Sequence, residues 1–392
     1  MELIFSILMF MYGIWTGNGD PAVSLEQTLG AVIAANQQLA VPDSVEPPEE
    51  GKNIFVKKDP EPDAPVVKGI YVTSHSAGGA RMESLLQLID STELNSMVID
   101  VKDDYGYITF PTENTELLEL GTIQKNIRDI GALMTRLEEH DVYPIARIVV
   151  FKDSVLAKKR PDMSFVNPDG SIWQNGRKES FVNPYLKEVW DYNIEVAKEA
   201  ARIGFKEIQF DYVRFPEGFE KKADDLKYEK TDDTRVDVIA GFVKYAREQL
   251  EPLGIRISVD IFGYAASVPA AEGIGQDFVK ISKYVDVICP MVYPSHYSTG
   301  WFGQKDPDKA PYETIKGAMV DTHAKLEPIG IYKPIIRPWI QDFTASWLGK
   351  GHYMKYGKAE VEAQIRALKD TGINEYLLWN AGNKYTEDVE FK

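Results

Sequence analysis

The chain has 392 residues, 44% of them hydrophobic, 27% charged and 11% aromatic, which is ample for a large core. Its formal net charge is −16, a surface that repels phosphate backbones and argues against nucleic acid as a partner. A single cysteine, Cys289, excludes an intramolecular disulfide, although a core of this size does not need one for export.

From the N-terminus, Leu3 to Trp15 is a nearly unbroken apolar run. It is short for a bilayer-spanning helix and matches the hydrophobic region of a secretory signal. Glu2 stands where a basic residue is expected, and neither a small-x-small cleavage site nor a lipobox cysteine follows. Residues 1–16 are therefore expected to be a signal peptide or membrane anchor, with a buried N-terminal helix as the alternative. The expected location is secreted or cell-surface, with membrane contact only through this segment. Residues 17–65 change character. Pro42, Pro47, Pro48, Pro60, Pro62 and Pro65 lie among Glu46, Glu49, Glu50 and Glu61, a composition that buries too little apolar surface to fold alone. This reads as a stiff, acidic, Pro-rich linker.

From Val66 to the end, apolar β-branched runs alternate with segments of helical period. Strands are predicted at Val66–His75, Ser96–Tyr105, Val142–Phe151, Glu207–Phe215, Arg256–Tyr264, Val285–Tyr293, Lys333–Gln341 and Glu375–Ala381. Helices are predicted near 80–90, 127–140, 184–203, 233–252, 276–284, 311–327 and 358–371, with Asn183-Pro184 opening the third. Eight such units over residues 66–392 predict an α/β fold, a (β/α)8 TIM barrel. A doubly wound open sheet alternates in the same way. No glycine-rich phosphate loop follows the first strand, however, and polar residues recur near the ends of many strands.

Side chains alternate faces along a strand. That periodicity places Asp100 and Lys102, Arg147, Gln209 and Asp211, Ser258 and Asp260, and Arg337 and Trp339 on the faces opposite the purely aliphatic ones. Turned inward, Asp100, Asp211 and Asp260 meet Lys102, Arg147 and Arg337 around one axis, a balanced set as burial demands. A closed ion-pair network that merely fills the barrel is the structural alternative, strongest for Arg147 and Lys102. Asp211 and Asp260 sit nearer the strand ends, where barrel active sites form. Aromatic and imidazole groups also follow or end strands: Tyr71, His75, Tyr105, Tyr293, His296, Trp339 and Trp379. Together they predict a cleft that receives the apolar faces of sugar rings. Cys289, in an apolar run with no basic neighbour, reads as a buried structural thiol. The five histidines are scattered, with no His-x-x-x-His or Cys-x-x-Cys pair, so neither a metal nor a cofactor is expected. Asp103-Asp104 reads as a solvated loop pair, and no Gly-x-Ser-x-Gly elbow or P-loop is present.

At FDYVRFP, residues 210–216, following GFKEIQ, the sequence becomes recognisable. With KGIYVTSHSAGG at 68–79, NSMVIDVKDDYG at 95–106, VDVICPMVYPSHY at 285–297 and YLLWNAGN at 376–383, it resembles a bacterial family described as glycoside hydrolases. It is also distantly similar to α-amylase-type barrels. That resemblance implies a nucleophilic Asp ending the fourth strand, matched by Asp211, and an acid/base Glu ending the fifth, where this chain has Asp260.

Glycoside hydrolysis generally needs two carboxyl groups, one protonated and one ionised. The expected pair is Asp211 as nucleophile and Asp260 as acid/base, on adjacent strands and in a retaining geometry, with Arg214 or Arg337 keeping Asp211 ionised. Tyr71, His75, Asp100, Lys102, Arg214, Tyr293, His296, Arg337, Trp339, Trp379 and Asn380 are the expected substrate contacts. The partner is then a cell-surface or extracellular polysaccharide and the protein a monomer. Two alternatives stay open: a non-catalytic carbohydrate-binding barrel, and a metal-dependent hydrolase or deacetylase using His75, Asp100, Asp211 and His296.

Overall fold

The computed structural model describes residues 65–392. The leader at 1–16 and all but the last residue of the linker at 17–65 lie outside the described residues. The strands are β1 (Lys68–Val72), β2 (Ser96–Lys102), β3 (Tyr143–Val149), β4 (Glu207–Asp211), β5 (Arg256–Phe262), β6 (Val287–Met291), β7 (Ile335–Ile336), β8 (Trp339–Gln341) and β9 (Tyr376–Trp379). All pair in parallel. β1 pairs with both β2 and β9, and the β5–β6 pairing closes the ring. β7 and β8 both pair with β6 and together occupy one position of the ring, interrupted at Arg337-Pro338. The result is a closed (β/α)8 barrel.

The helices are α1 (Ser74–Ala77), α2 (Arg81–Asp90), α3 (Thr115–Leu120), α4 (Ile130–Glu139), α5 (Ser154–Lys159), α6 (Lys187–Ile203), α7 (Arg235–Leu250), α8 (Phe278–Ser282), α9 (Pro311–Leu326) and α10 (Lys358–Asp370). The seven predicted from periodicity are present, each slightly shorter than read. The short α1, α3 and α5 lie in loops that carry too few residues to show a period. α6 begins at Lys187, past the predicted Asn183-Pro184 start, because the Asn183 side chain accepts the Tyr185 N–H at 3.1 Å and spends itself on a local turn. Gly204 ends that helix at φ +116°, a conformation that costs glycine nothing.

The strand faces sort as the parity argument requires. Ile70, Val72, Ile99, Ile148, Ile208, Phe210, Val259, Ile261 and Leu378 belong to the apolar layer under the helices. Val67, Tyr71, Val98, Ile145, Cys289, Trp339 and Leu377 form a second cluster inside the ring. Lys102 is the exception. A register shift between Asp100 and Lys102 sets Lys102 opposite Ile148, which belongs to the outer layer. This bulge breaks the two-residue period. Lys102 accordingly pairs with Asp153 at 2.7 Å, both side chains fully buried, and its ammonium lies 5.4 Å from the Tyr192 ring centroid on α6. Gly106, at φ +101°, leaves room for that pair, since a Cβ there would stand 1.9 Å from the Asp153 carboxylate.

Candidate active site

At the C-terminal end of the strands a cavity of ≈ 280 Å³ opens to solvent. Its lining comes from β3, β4, β5, β6, β9 and the loops after β2, β3, β4, β5 and β6. The charged members are Asp104, Arg147, Arg177, Asp211, Arg214 and Glu217, and the aromatic ones include Tyr293, His296 and Trp379.

Arg147 organises this end. Its Nε and Nη2 donate to one oxygen of Asp211 at 3.0 and 2.6 Å, its Nη1 to Asp100 at 2.7 Å, and its Nη2 also to Asp104 at 3.2 Å. The guanidinium lies 5.4 and 5.5 Å from the ring centroids of Tyr71 and Trp379, which stack on each other at 4.1 Å. Such cation–π contacts and charge-assisted hydrogen bonds fix its position. The cation beside Asp211 is therefore Arg147, not the expected Arg214 or Arg337.

Asp211 ends β4, and its second oxygen accepts the Tyr212 N–H at 2.6 Å. Tyr212 itself has φ +51°, costly for a residue with a Cβ. The strain turns the chain out of the strand directly after the carboxylate, and it belongs to a region where stored strain is common. Asp260 stands one register step beyond Phe210 opposite Val259, and so beside Asp211. One of its oxygens accepts the Trp339 indole N–H at 2.7 Å. Burial, reinforced by the Asp211 charge, raises its pKa well above the ordinary carboxylate value and favours the neutral acid. Asp260 is only 1% exposed and lies behind the cavity wall.

Asp100 lies beneath Arg147 and accepts the Tyr71 hydroxyl at 2.6 Å. Burial raises its pKa to about 6, with Arg147 working against the rise. The Asp103-Asp104 pair divides its labour. Asp103 accepts the backbone N–H groups of Tyr105, Gly106 and Tyr107 and so builds the turn. Asp104 reaches Arg147 and Lys152, at 3.2 and 3.0 Å. Burial pushes its pKa up, but those two cations outweigh it and hold the carboxyl at about 2.

Among the residues expected at the site, Asp211, Arg214, Tyr293, His296 and Trp379 line the cavity. Tyr71, Asp100, Asp260 and Trp339 support it from below through the bonds just given. Four fall elsewhere. Arg337 is at the opposite, N-terminal end of the barrel, paired with Glu207 and Glu375 at 2.7 Å each. Lys102 left the interior at the bulge. His75 is exposed on α1, and Asn380 donates to the backbone carbonyls of Asp342 and Lys384. Cys289 is buried in the interior, as read. The sequence reading missed Arg177 and Glu217, which come from loops without period, and gave Asp104 no role. Among the described residues, no group of three or more His, Cys, Asp or Glu is placed to hold a metal ion.

Residues 69–385 match the family described as "Putative glycosyl hydrolase domain". The chain belongs to this family. No functionally curated protein matches it. Among solved structures, the family member is similar to a hypothetical protein from Ruminiclostridium thermocellum ATCC 27405, with 32% identity over 49% of this chain and 96% of that one, and a TM-score of 0.45. It is also similar to the spore cortex-lytic enzyme SleL of Bacillus megaterium QM B1551, with 12% identity, 83% and 73% coverage and a TM-score of 0.48. A chitinase from Chromobacterium violaceum ATCC 12472 gives 10% identity, 83% and 97% coverage and a TM-score of 0.48.

Proposed function

We propose that this glycosyl hydrolase domain cleaves O-glycosidic bonds of an extracellular or cell-surface polysaccharide, with Asp211 as the carboxylate at the reacting centre. One observation carries the reading. Asp211, ion-paired with Arg147, lines an open cavity, while burial and the Asp211 charge push the pKa of the adjacent Asp260 well above the ordinary carboxylate value, toward the neutral acid. Two carboxyl groups of opposite protonation are what glycoside cleavage requires.

In this reading Asp211 attacks the anomeric carbon and Asp260 supplies the proton to the departing oxygen. Water then hydrolyses the glycosyl–enzyme ester, with Asp260 taking its proton. Adjacent parallel strands are roughly 4.8 Å apart, which supports a retaining geometry, for which carboxyl groups stand about 5–5.5 Å apart. Arg147 holds the Asp211 carboxylate in one orientation. Tyr293 and Trp379 offer faces to the sugar.

A second assignment of the acid rests on exposure. Glu217 lines the cavity and is exposed, whereas Asp260 is not. In that version Glu217 is the proton donor and Asp260 holds the floor. Reducing-end release from a panel of cell-wall and storage polysaccharides tests the activity, and proton NMR of the first-formed anomer tests retention. No release from any glycan would contradict the hydrolase reading. Parallel Asp260→Asn and Glu217→Gln variants separate the two acids, because only the true donor is rescued on substrates whose leaving group needs no proton.

A further inference from the structure

Trp347 is 64% exposed, an unusual placement for an indole on a surface otherwise rich in charge. It sits in the 3-10 turn Ser346–Leu348, on the loop between β8 and α10. The turn is fixed: the Leu348 N–H donates to the Ala345 carbonyl at 3.1 Å, and the Tyr356 N–H donates to the Thr344 hydroxyl at 3.1 Å. One side of the indole stacks on Phe343, with centroids 5.7 Å apart and planes 22° apart. Its edge contacts His296 at 6.5 Å.

The rings between Trp347 and the cavity form an unbroken series. His296 meets Tyr293 at 5.1 Å, and Tyr293 meets Phe343 at 5.8 Å and Trp379 at 6.4 Å. His296, Tyr293 and Trp379 all line the cavity. Trp347 is thus the solvent-facing end of the aromatic wall whose inner end is beside Asp211. The cavity itself, ≈ 280 Å³, falls just below the roughly 300–1,000 Å³ common for small-ligand sites. Any longer glycan that places one bond at Asp211 must continue past the rim.

We propose that Trp347 is an outer sugar subsite: a platform on which a pyranose ring of the same chain stacks while another ring occupies the cavity. This rests on the reading of the cavity as a sugar site. It adds that the ligand is an oligosaccharide or polymer, presenting rings whose apolar C–H faces lie flat on the indole.

The test is binding, read without turnover. The probes are cellohexaose, chitohexaose and maltohexaose, with the matching disaccharides, titrated calorimetrically into the full chain carrying Asp211→Asn. For the hexasaccharide that binds, Trp347→Ala should raise Kd about tenfold, the size of an aromatic contact. Trp347→Phe should recover most of that loss, and the disaccharide Kd should not change. An unchanged hexasaccharide Kd overturns the proposal, as does an equal loss for the disaccharide or binding of none of the three hexasaccharides. Failure of the hydrolase reading gives a different pattern: length-dependent binding through Trp347 with no cleavage by the wild-type chain.

Discussion

Two fully buried arginines stand inside this barrel. Arg337, at the N-terminal end, is matched by the fully buried Glu207 and by the half-buried Glu375, and none of the three lines the cavity at the other end. Arg147, toward the C-terminal end, is matched by Asp100, Asp104 and Asp211, and a cavity opens directly against it. Both neutralise their carboxylate partners, so charge pairing alone does not distinguish a plug from a site. What differs is the cavity. The lower cluster lines none of this cavity, whereas the upper one presents Asp211 to it, with the pKa of Asp260 beside it raised well above the ordinary carboxylate value by burial. The two readings posed as alternatives by the sequence, an ion-pair network and a carboxylate-lined site, correspond to the two ends of one barrel.

The comparison breaks most visibly at Asp211. Asp211→Asn should lower turnover by about 10³-fold or more while the fold survives, because Arg147 keeps Asp100 and Asp104. Asp260→Asn should cost about 10²–10⁴-fold. It should also abolish the alkaline limb of the pH–rate profile, since the acid must stay protonated to act. An alkaline limb that persists in Asp260→Asn and disappears in Glu217→Gln would move the acid to the rim. At the N-terminal end the effect is on stability instead. Arg337→Met strands the fully buried Glu207 and removes the partner of Glu375, and should destabilise the protein by about 3–5 kcal/mol, seen as a lower unfolding midpoint in urea, with turnover per folded molecule unchanged.

The smallest effect is on pH dependence. Burial pushes the Asp100 pKa up to about 6, above its ordinary value of 3.8, so the folded state holds its proton more tightly than the unfolded chain. Its contribution is fully present below pH ~4 and is lost as pH rises through ~6. Asp100→Asn should flatten that descending component between those values, measured as the urea midpoint across the range. A pH dependence identical to wild type would contradict the burial-driven shift.

Most of the scaffold was legible because it obeys two periods. The strand cores from Ser96, Tyr143, Glu207 and Arg256 onward emerge from two-residue alternation, and α6, α7, α9 and α10 from the helical repeat. Parity alone brought Asp100, Arg147, Asp211, Asp260 and Trp339 inside. It failed at Lys102, where one extra residue reverses the face and no local signal announces a bulge. It also misjudged Arg337, which is inside but aims at the wrong end, a matter of depth that alternation does not encode. Arg177, Glu217 and the divergent roles of Asp103 and Asp104 belong to loops, where position follows from contacts distant in sequence. Even there the Asp103–Gly106 turn has a local cause: an Asp accepting three successive N–H groups, closed by a glycine at positive φ.

The most direct measurement is turnover of Asp211→Asn against wild type on a polysaccharide the wild type cleaves, with thermal unfolding of both as the control for folding. The account predicts a loss of about 10³-fold or more at a similar unfolding midpoint. An Asp211→Asn protein that folds and retains turnover within about tenfold of wild type would contradict it.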